Sequence, residues 1–144
     1  MLYTEQFLSK ELAKILEESQ LKNGARILQD CQQYIIKILA DKLDKNPWQP
    51  HPSYAEAYMT VSSVTSLLEL AETCWYTRAV FPELGARRGL NPSYYVQLGQ
   101  GCYNRVLTKI SNNTLEQMCQ HFEFLAEVTL AAIRNQQPLL IKLN

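Results

Sequence analysis

The sequence predicts an all-α fold, a single-domain helical bundle of about five helices spanning residues 1–144. Apolar residues recur at the 3.6-residue spacing of a helix over long stretches, and no alternating strand pattern of useful length interrupts them. The residues that break helices are confined to a few places. Four of the five glycines lie between residues 85 and 101, and three of the six prolines lie between 47 and 52. A chain of 144 residues is the length of one domain.

Two amphipathic helices are predicted in the first third of the chain. Thr4 is a plausible N-cap and Asn23-Gly24 a stop, which places the first helix at about 5–22. A second helix, at about 25–43, carries the apolar positions Ile27, Leu28, Cys31, Tyr34, Ile35, Ile38, Leu39 and Leu43. Mixed charges on the remaining positions of both helices indicate solvated outer faces.

The segment 44–52 predicts a proline-rich connector rather than a helix, because each proline removes a backbone donor and disfavours helix at the residue before it. Ser53 and Glu56 then have the spacing of a capping box, so a long third helix is expected from there. Its apolar period continues through Trp75, and the helix should end at about 77–81, before Pro82.

Residues 82–92 form a second cluster of breakers, predicted to be a Gly/Arg-rich interhelical loop. Asn91-Pro92 has the form of a helix start, and a helix with an apolar period should follow it. Gly99 and Gly101 fall early in that helix, where glycine implies close backbone approach or an early end. Thr114 and Gln117 have capping-box spacing, which predicts the start of the last long helix, at about 115–134.

The residues needed for catalysis or metal binding are scarce. His51 and His121 are the only histidines, and Cys119 and His121, two residues apart on a helix, point in different directions. Each cysteine occupies an apolar position, so we expect reduced thiols in the core and no disulfide framework. The sequence therefore predicts a non-enzymatic protein with no metal site and no cofactor.

Neither a membrane span nor a secretion signal is expected. No run of apolar residues is long enough to cross a bilayer, and the first residues lack an apolar signal region. Together with the absence of a disulfide framework, this predicts a cytoplasmic protein.

Tyrosine and arginine are concentrated in the middle of the chain. Between residues 78 and 109 there are five Lys/Arg and one Glu, a net charge of +4 in a chain whose total is zero. Tyrosine and arginine are enriched at binding hot spots, which predicts a partner-binding surface around residues 76–105. The alternatives are tyrosines at the edge of the core and arginines paired with Glu72, Glu83 or Glu116. The candidate partner-binding residues are Arg78, Arg87, Arg88, Asn91, Tyr94, Tyr95, Gln97 and Arg105.

The same region also resembles a known DNA-binding motif. Residues 82–100, PELGARRGLNPSYYVQLGQ, resemble the helix-turn-helix of phage-repressor-like proteins, and 109–122 are similar to the helix that closes that domain. The resemblance covers residues 82–122. The small, turn and apolar positions of the motif would be Gly85, Gly89, Leu90, Tyr95 and Leu98.

The resemblance implies a recognition helix that opens at residues 91–93 and enters the major groove. The side chains that would reach base edges are Asn91, Ser93, Gln97 and Gln100. Arg87 and Arg88 would lie near phosphates, where they position the protein on the duplex.

Two functions follow from the sequence. The first is an interaction or regulatory protein that binds a protein partner, or a second copy of itself as a homodimer, through the Tyr/Arg-rich surface around residues 76–105. The alternative is a divergent helix-turn-helix transcriptional regulator that binds nucleic acid through residues 82–105.

Overall fold

The computed structural model describes residues 29–44, 54–83 and 93–135, together with four positions between 10 and 17. Within these residues the fold is all-α and bundle-like, with six helices and no strand, so the predicted fold class is confirmed. The helices are α1 (Gln29–Asp44), α2 (Tyr54–Thr60), α3 (Val64–Val80), α4 (Tyr94–Leu107), α5 (Asn113–Gln120) and α6 (Phe122–Asn135).

The chain groups into two compact units. One runs from Pro50 to Ala126, and the other combines Met1–Gln49 with Glu127–Asn144. In the second unit, α1 follows the predicted apolar period, with Cys31, Ile35 and Leu39 buried on one face. The prediction of one domain over residues 1–144 stays a prediction.

The core of the Pro50–Ala126 unit forms where α3, α4 and the start of α6 meet. Trp75 of α3 is fully buried, and its Nε1 donates a hydrogen bond to the Phe122 carbonyl at 3.3 Å. The rings of Tyr103 and Phe122 pack edge to face, with centroids 6.2 Å apart. A Cβ at Gly99 would overlap the Phe122 ring and lie 3.2 Å from the Cys74 Cβ. This is the close backbone approach that the position of Gly99 within a helix predicts as one of two explanations.

The predicted third helix is two helices. The chain leaves helical conformation at residues 61–63, between α2 and α3. Ser63 caps α3, since its Oγ accepts a hydrogen bond from the Ser66 amide at 3.1 Å. The Thr60 hydroxyl bonds back to the carbonyls of Glu56 and Ala57. Serine, threonine and valine fill residues 60–65, and these residues favour caps and turns over helix interiors.

The predicted last helix is also interrupted. Asn112 is the N-cap of α5, and its Oδ1 accepts from the Leu115 amide at 3.0 Å, so the helix begins before the predicted Thr114 cap. His121 separates α5 from α6. Backbone hydrogen bonds from His121 N to Gln117 O and from Leu125 N to His121 O carry the helical pattern across this junction.

Several predictions fall outside the described residues. They are the connector predicted at 44–52, apart from Asp44, which ends α1; the loop predicted at 82–92, apart from the turn at residues 82–83; and most of the helix predicted at 5–22. At the four described positions near the start of the chain, Lys10, Ala13, Lys14 and Glu17, the backbone is helical. No helix in the described part of the chain has the length and hydropathy needed to cross a membrane.

Candidate interaction surface

The candidate surface is built mainly on α3 and α4, which run antiparallel. At one end, Arg105 of α4 donates to the Val61 carbonyl, just before the start of α3. Further along, Cys74 of α3 lies against Gly99 of α4. Residue numbers therefore rise along α3 as they fall along α4. This register directs the end of α3, with Arg78, toward the first turn of α4.

Arg105 is half-buried, and backbone carbonyls of α2 and of the turn after it engage its guanidinium. Its Nη1 donates to the Tyr58 carbonyl at 2.6 Å, and its Nη2 donates to the Val61 carbonyl at 2.8 Å. The guanidinium also lies 5.1 Å from the centre of the Tyr58 ring, a cation–π contact. Arg105 therefore joins α4 to α2 and to the residue that follows it.

Arg78 forms an ion pair with α6. Its Nη2 lies 3.4 Å from Oε1 of Glu123 at the start of α6. The Arg78 side chain is 14% exposed and the Glu123 side chain 58% exposed. Glu123 is not among the three glutamates that the sequence suggested as arginine partners, and a pair this open contributes little to stability.

The two adjacent tyrosines have different environments. Tyr95 is buried, with 3% of its surface exposed, while Tyr94 is half-buried. Their rings meet edge to face, with centroids 5.1 Å apart. Tyr95 thus takes the role of a core residue, and Tyr94 is the aromatic that reaches the surface at the start of α4.

Among the candidate partner-binding residues, Gln97 is the exposed polar side chain in the first turn of α4. Its Nε2 donates to Ser93 Oγ at 3.0 Å, a bond one helical turn long. Arg87, Arg88 and Asn91 lie outside the described residues.

The structure therefore distributes the described candidates rather than bringing them together. Arg105 contacts the α2–α3 segment, Arg78 contacts α6, and Tyr95 lies in the core. Tyr94 and Gln97 remain at the surface on the first turn of α4. These two residues follow directly in sequence from the segment that contains the two other arginines.

Exposed apolar side chains are a feature that the sequence analysis did not single out. Met59 is 79% exposed, Phe124 is 45% exposed and Ile110 is 39% exposed. The signal for Phe124 was available, since it lies off the apolar period that includes Phe122 and Leu125. It is also next in sequence to Glu123, the partner of Arg78.

Three of the four cysteines are buried in the core, as the sequence predicts, and the fourth is partly exposed. All four are free thiols; Cys31, Cys74 and Cys102 are buried, and Cys119 is half-buried. Burial raises the pKa of each thiol, and at Cys102, where nearby Arg105 lowers it in part, the pKa still rises to about 11. A raised pKa keeps a thiol protonated and weakly nucleophilic.

Cys119 also has a defined position between α4 and α5. Its Sγ lies 3.6 Å from the Gln100 carbonyl and 3.4 Å from Asn104 Oδ1, and the Gln100 amide donates to the Cys119 carbonyl at 3.0 Å. Within the part of the chain that the structure describes, no three His, Cys, Asp or Glu side chains form a group that could hold a metal ion.

Comparison with known proteins gives no relative. No protein-family model, curated protein or solved structure matches this chain.

Proposed function

We propose that this chain is a non-enzymatic helical interaction module with a regulatory role, which binds a macromolecular partner through the surface at the start of α4. The observation that carries the proposal is the placement of Tyr94 and Gln97. One is a half-buried aromatic and the other an exposed amide, and both lie on a turn that buried Tyr95 anchors to the core.

The chemistry of this turn suits protein recognition. A tyrosine that is partly ordered before binding loses little conformational entropy on contact, and its ring and hydroxyl offer both apolar and polar contacts. Arg87 and Arg88 add positive charge in the sequence just before it. The proposed surface is thus narrower than the sequence analysis suggested, because Arg105 and Tyr95 already serve the fold.

Sedimentation equilibrium tests the simplest partner, which is a second copy of the chain. We expect a monomer–dimer equilibrium above the 16.6 kDa monomer mass, and Tyr94→Ala should weaken it. Met59→Ala removes an apolar side chain that is 79% exposed on a different helix, and it should leave the equilibrium unchanged. A wild-type chain that stays monomeric at millimolar concentration, or equal weakening by both variants, would contradict self-association through this turn.

The alternative is a helix-turn-helix regulator, and two observations favour it. Gln97 is exposed near the start of a helix, as a base-reading residue must be, and Tyr95 is buried where the motif requires an apolar residue. Gln100, the next candidate base contact, is engaged by the Cys119 carbonyl.

Titration of a fluorescent DNA duplex at increasing salt tests this alternative. A DNA-binding chain should lose affinity steeply with salt, because binding releases counterions from the phosphates. The double variant Arg87→Ala, Arg88→Ala should weaken binding to all sequences, whereas Gln97→Ala should reduce sequence preference. Absence of duplex binding at low salt would exclude this function.

A further inference from the structure

Residues 54–62, comprising α2 and the two residues after it, form a segment that we call the strap. Its described side chains bury little apolar surface: Ala57 is buried, Tyr58 and Val61 are half-buried, and the others are exposed. By contrast, α3 has Leu67, Cys74 and Trp75 almost fully buried. Burial of apolar surface is the main source of folding stability, and the described side chains of the strap, residues 56–62, contribute much less of it than those of the helix that follows.

The strap is held instead by two cations at the end of α4. Arg105 donates to the carbonyls of Tyr58 and Val61, and Lys109 Nζ donates to the carbonyl of Ser62. The last carbonyls of a helix have no partner within the helix and form the negative end of its dipole. Arg105 and Lys109 thus donate hydrogen bonds to carbonyls at the end of the strap, and their positive charges lie at the negative end of its helix dipole.

A second contact fixes the strap against the backbone of α4. A Cβ at Gly101 would lie 3.0–3.2 Å from the ring and hydroxyl of Tyr58. Any side chain at this position would push on the Tyr58 ring. The glycine therefore allows Tyr58 to lie close to α4, where Arg105 stacks on it at 5.1 Å.

We propose that the strap is a regulatory segment that detaches as a unit, without unfolding of α3 and α4, and that its opening releases the Arg105 guanidinium. Segments with few buried apolar contacts open at a lower free energy than the core to which they are attached. While the strap is closed, its carbonyls occupy Arg105. When the strap is open, the guanidinium is available to an outside carboxylate or phosphate. This regulation goes beyond the proposed function and does not depend on the surface at Tyr94.

Native-state hydrogen exchange of the whole chain tests the proposal. The reporter is the Val61 amide, which bonds to the Ala57 carbonyl at 2.9 Å, and core helical amides such as that of Cys102 give the reference. We expect the Val61 amide to be less protected than the core amides, and its exchange to depend less on denaturant. Arg105→Met should lower Val61 protection by a further factor of about ten, because hydrogen bonds from a charged donor are lost. Arg78→Met, the same change at an arginine that pairs with Glu123, should leave Val61 protection unchanged relative to wild type.

A second variant tests the contact without removing charge. Gly101→Ala should also lower the protection of Val61, because the added methyl pushes on Tyr58. The proposal is overturned if Val61 exchanges only with the core amides, with the same protection and denaturant dependence in the wild-type chain. It is equally overturned if Arg105→Met and Gly101→Ala both leave Val61 protection unchanged. Should either variant fail to fold, exchange in the wild-type chain alone decides.

Discussion

Gly99 shows how a single residue sets the distance between helices in this protein. The Phe122 side chain occupies the space that a Cβ at position 99 would need, and the Cys74 Cβ closes another side of it. Glycine weakens a helix relative to alanine. The cost is offset here because the missing side chain lets Phe122 pack on the α4 backbone and Trp75 bond to the Phe122 carbonyl.

Gly99→Ala should therefore destabilise the chain, although alanine favours helices. Overpacking of a tight core costs about 1–3 kcal/mol, while the gain in helix propensity is at most about 1 kcal/mol. We expect a net loss of about 1–2 kcal/mol in the free energy of unfolding, measured by urea denaturation. Gly101→Ala meets only the end of the Tyr58 side chain and should cost less. Equal stability of Gly99→Ala and wild type would contradict the packing seen at Phe122.

The two described arginines of the candidate surface show the limit of reading charge from sequence. The excess of positive charge in residues 78–109 says nothing of what these arginines contact, and each of the two makes a contact with a distant position. Arg78 pairs with a residue 45 positions away, and Arg105 bonds to a carbonyl 47 positions away. Local sequence carries no information about such contacts, because the helix packing that creates them is decided by the whole core.

The apolar period predicts the helices of this chain better than it predicts the breaks between them. The helical character of all six described segments follows from apolar period, and the predicted helices overlap all of them. The breaks at residues 61–63 and at His121 could not be predicted from the apolar period, because the period continues through both of them. A break that preserves the buried face leaves the pattern almost unchanged, and only the weak helix formers around Ser63 signal the first one.

Asn112→Ala tests the cap that begins α5. Its side chain satisfies the Leu115 amide, and loss of an N-cap side chain costs about 1 kcal/mol. We expect a fall of this size in unfolding free energy by urea denaturation. Ser111→Ala changes the exposed residue beside it and should shift stability by less than about 0.5 kcal/mol. Equal losses in the two variants would show that the side-chain cap contributes nothing.

At the scale of the whole molecule, the interior of the Pro50–Ala126 unit holds several weak acids in neutral form. Burial raises the pKa of Cys74 and Tyr76 strongly, and it raises that of Cys102 to about 11. The Tyr76 hydroxyl is buried with no hydrogen-bond partner among the described residues. These groups lose protons more easily in the unfolded chain, where thiols have an ordinary pKa of 9.0 and tyrosine of 10.0.

Stability should consequently decline in alkaline solution. Below about pH 9 both states keep these protons and the full stability is present; above it the unfolded state releases them first, so unfolding becomes more favourable as pH rises. Urea denaturation between about pH 7 and about pH 11 measures the decline. Tyr76→Phe removes one of the three groups together with an unpartnered hydroxyl. This substitution should lower the free energy of unfolding little at neutral pH and should make its decline with rising pH shallower. An unchanged alkaline slope in Tyr76→Phe would contradict the burial of this hydroxyl in its neutral form.

The burial of Trp75 has a spectroscopic consequence. The chain has two tryptophans, Trp48 and Trp75, so Trp48→Phe leaves a single indole emitter. That emitter is shielded from water and bonded through Nε1 to the first residue of α6. Its emission should lie toward the blue in the folded chain and move to the red when α6 separates from α3. Because the strap lies outside this contact, strap opening alone should leave the fluorescence spectrum unchanged.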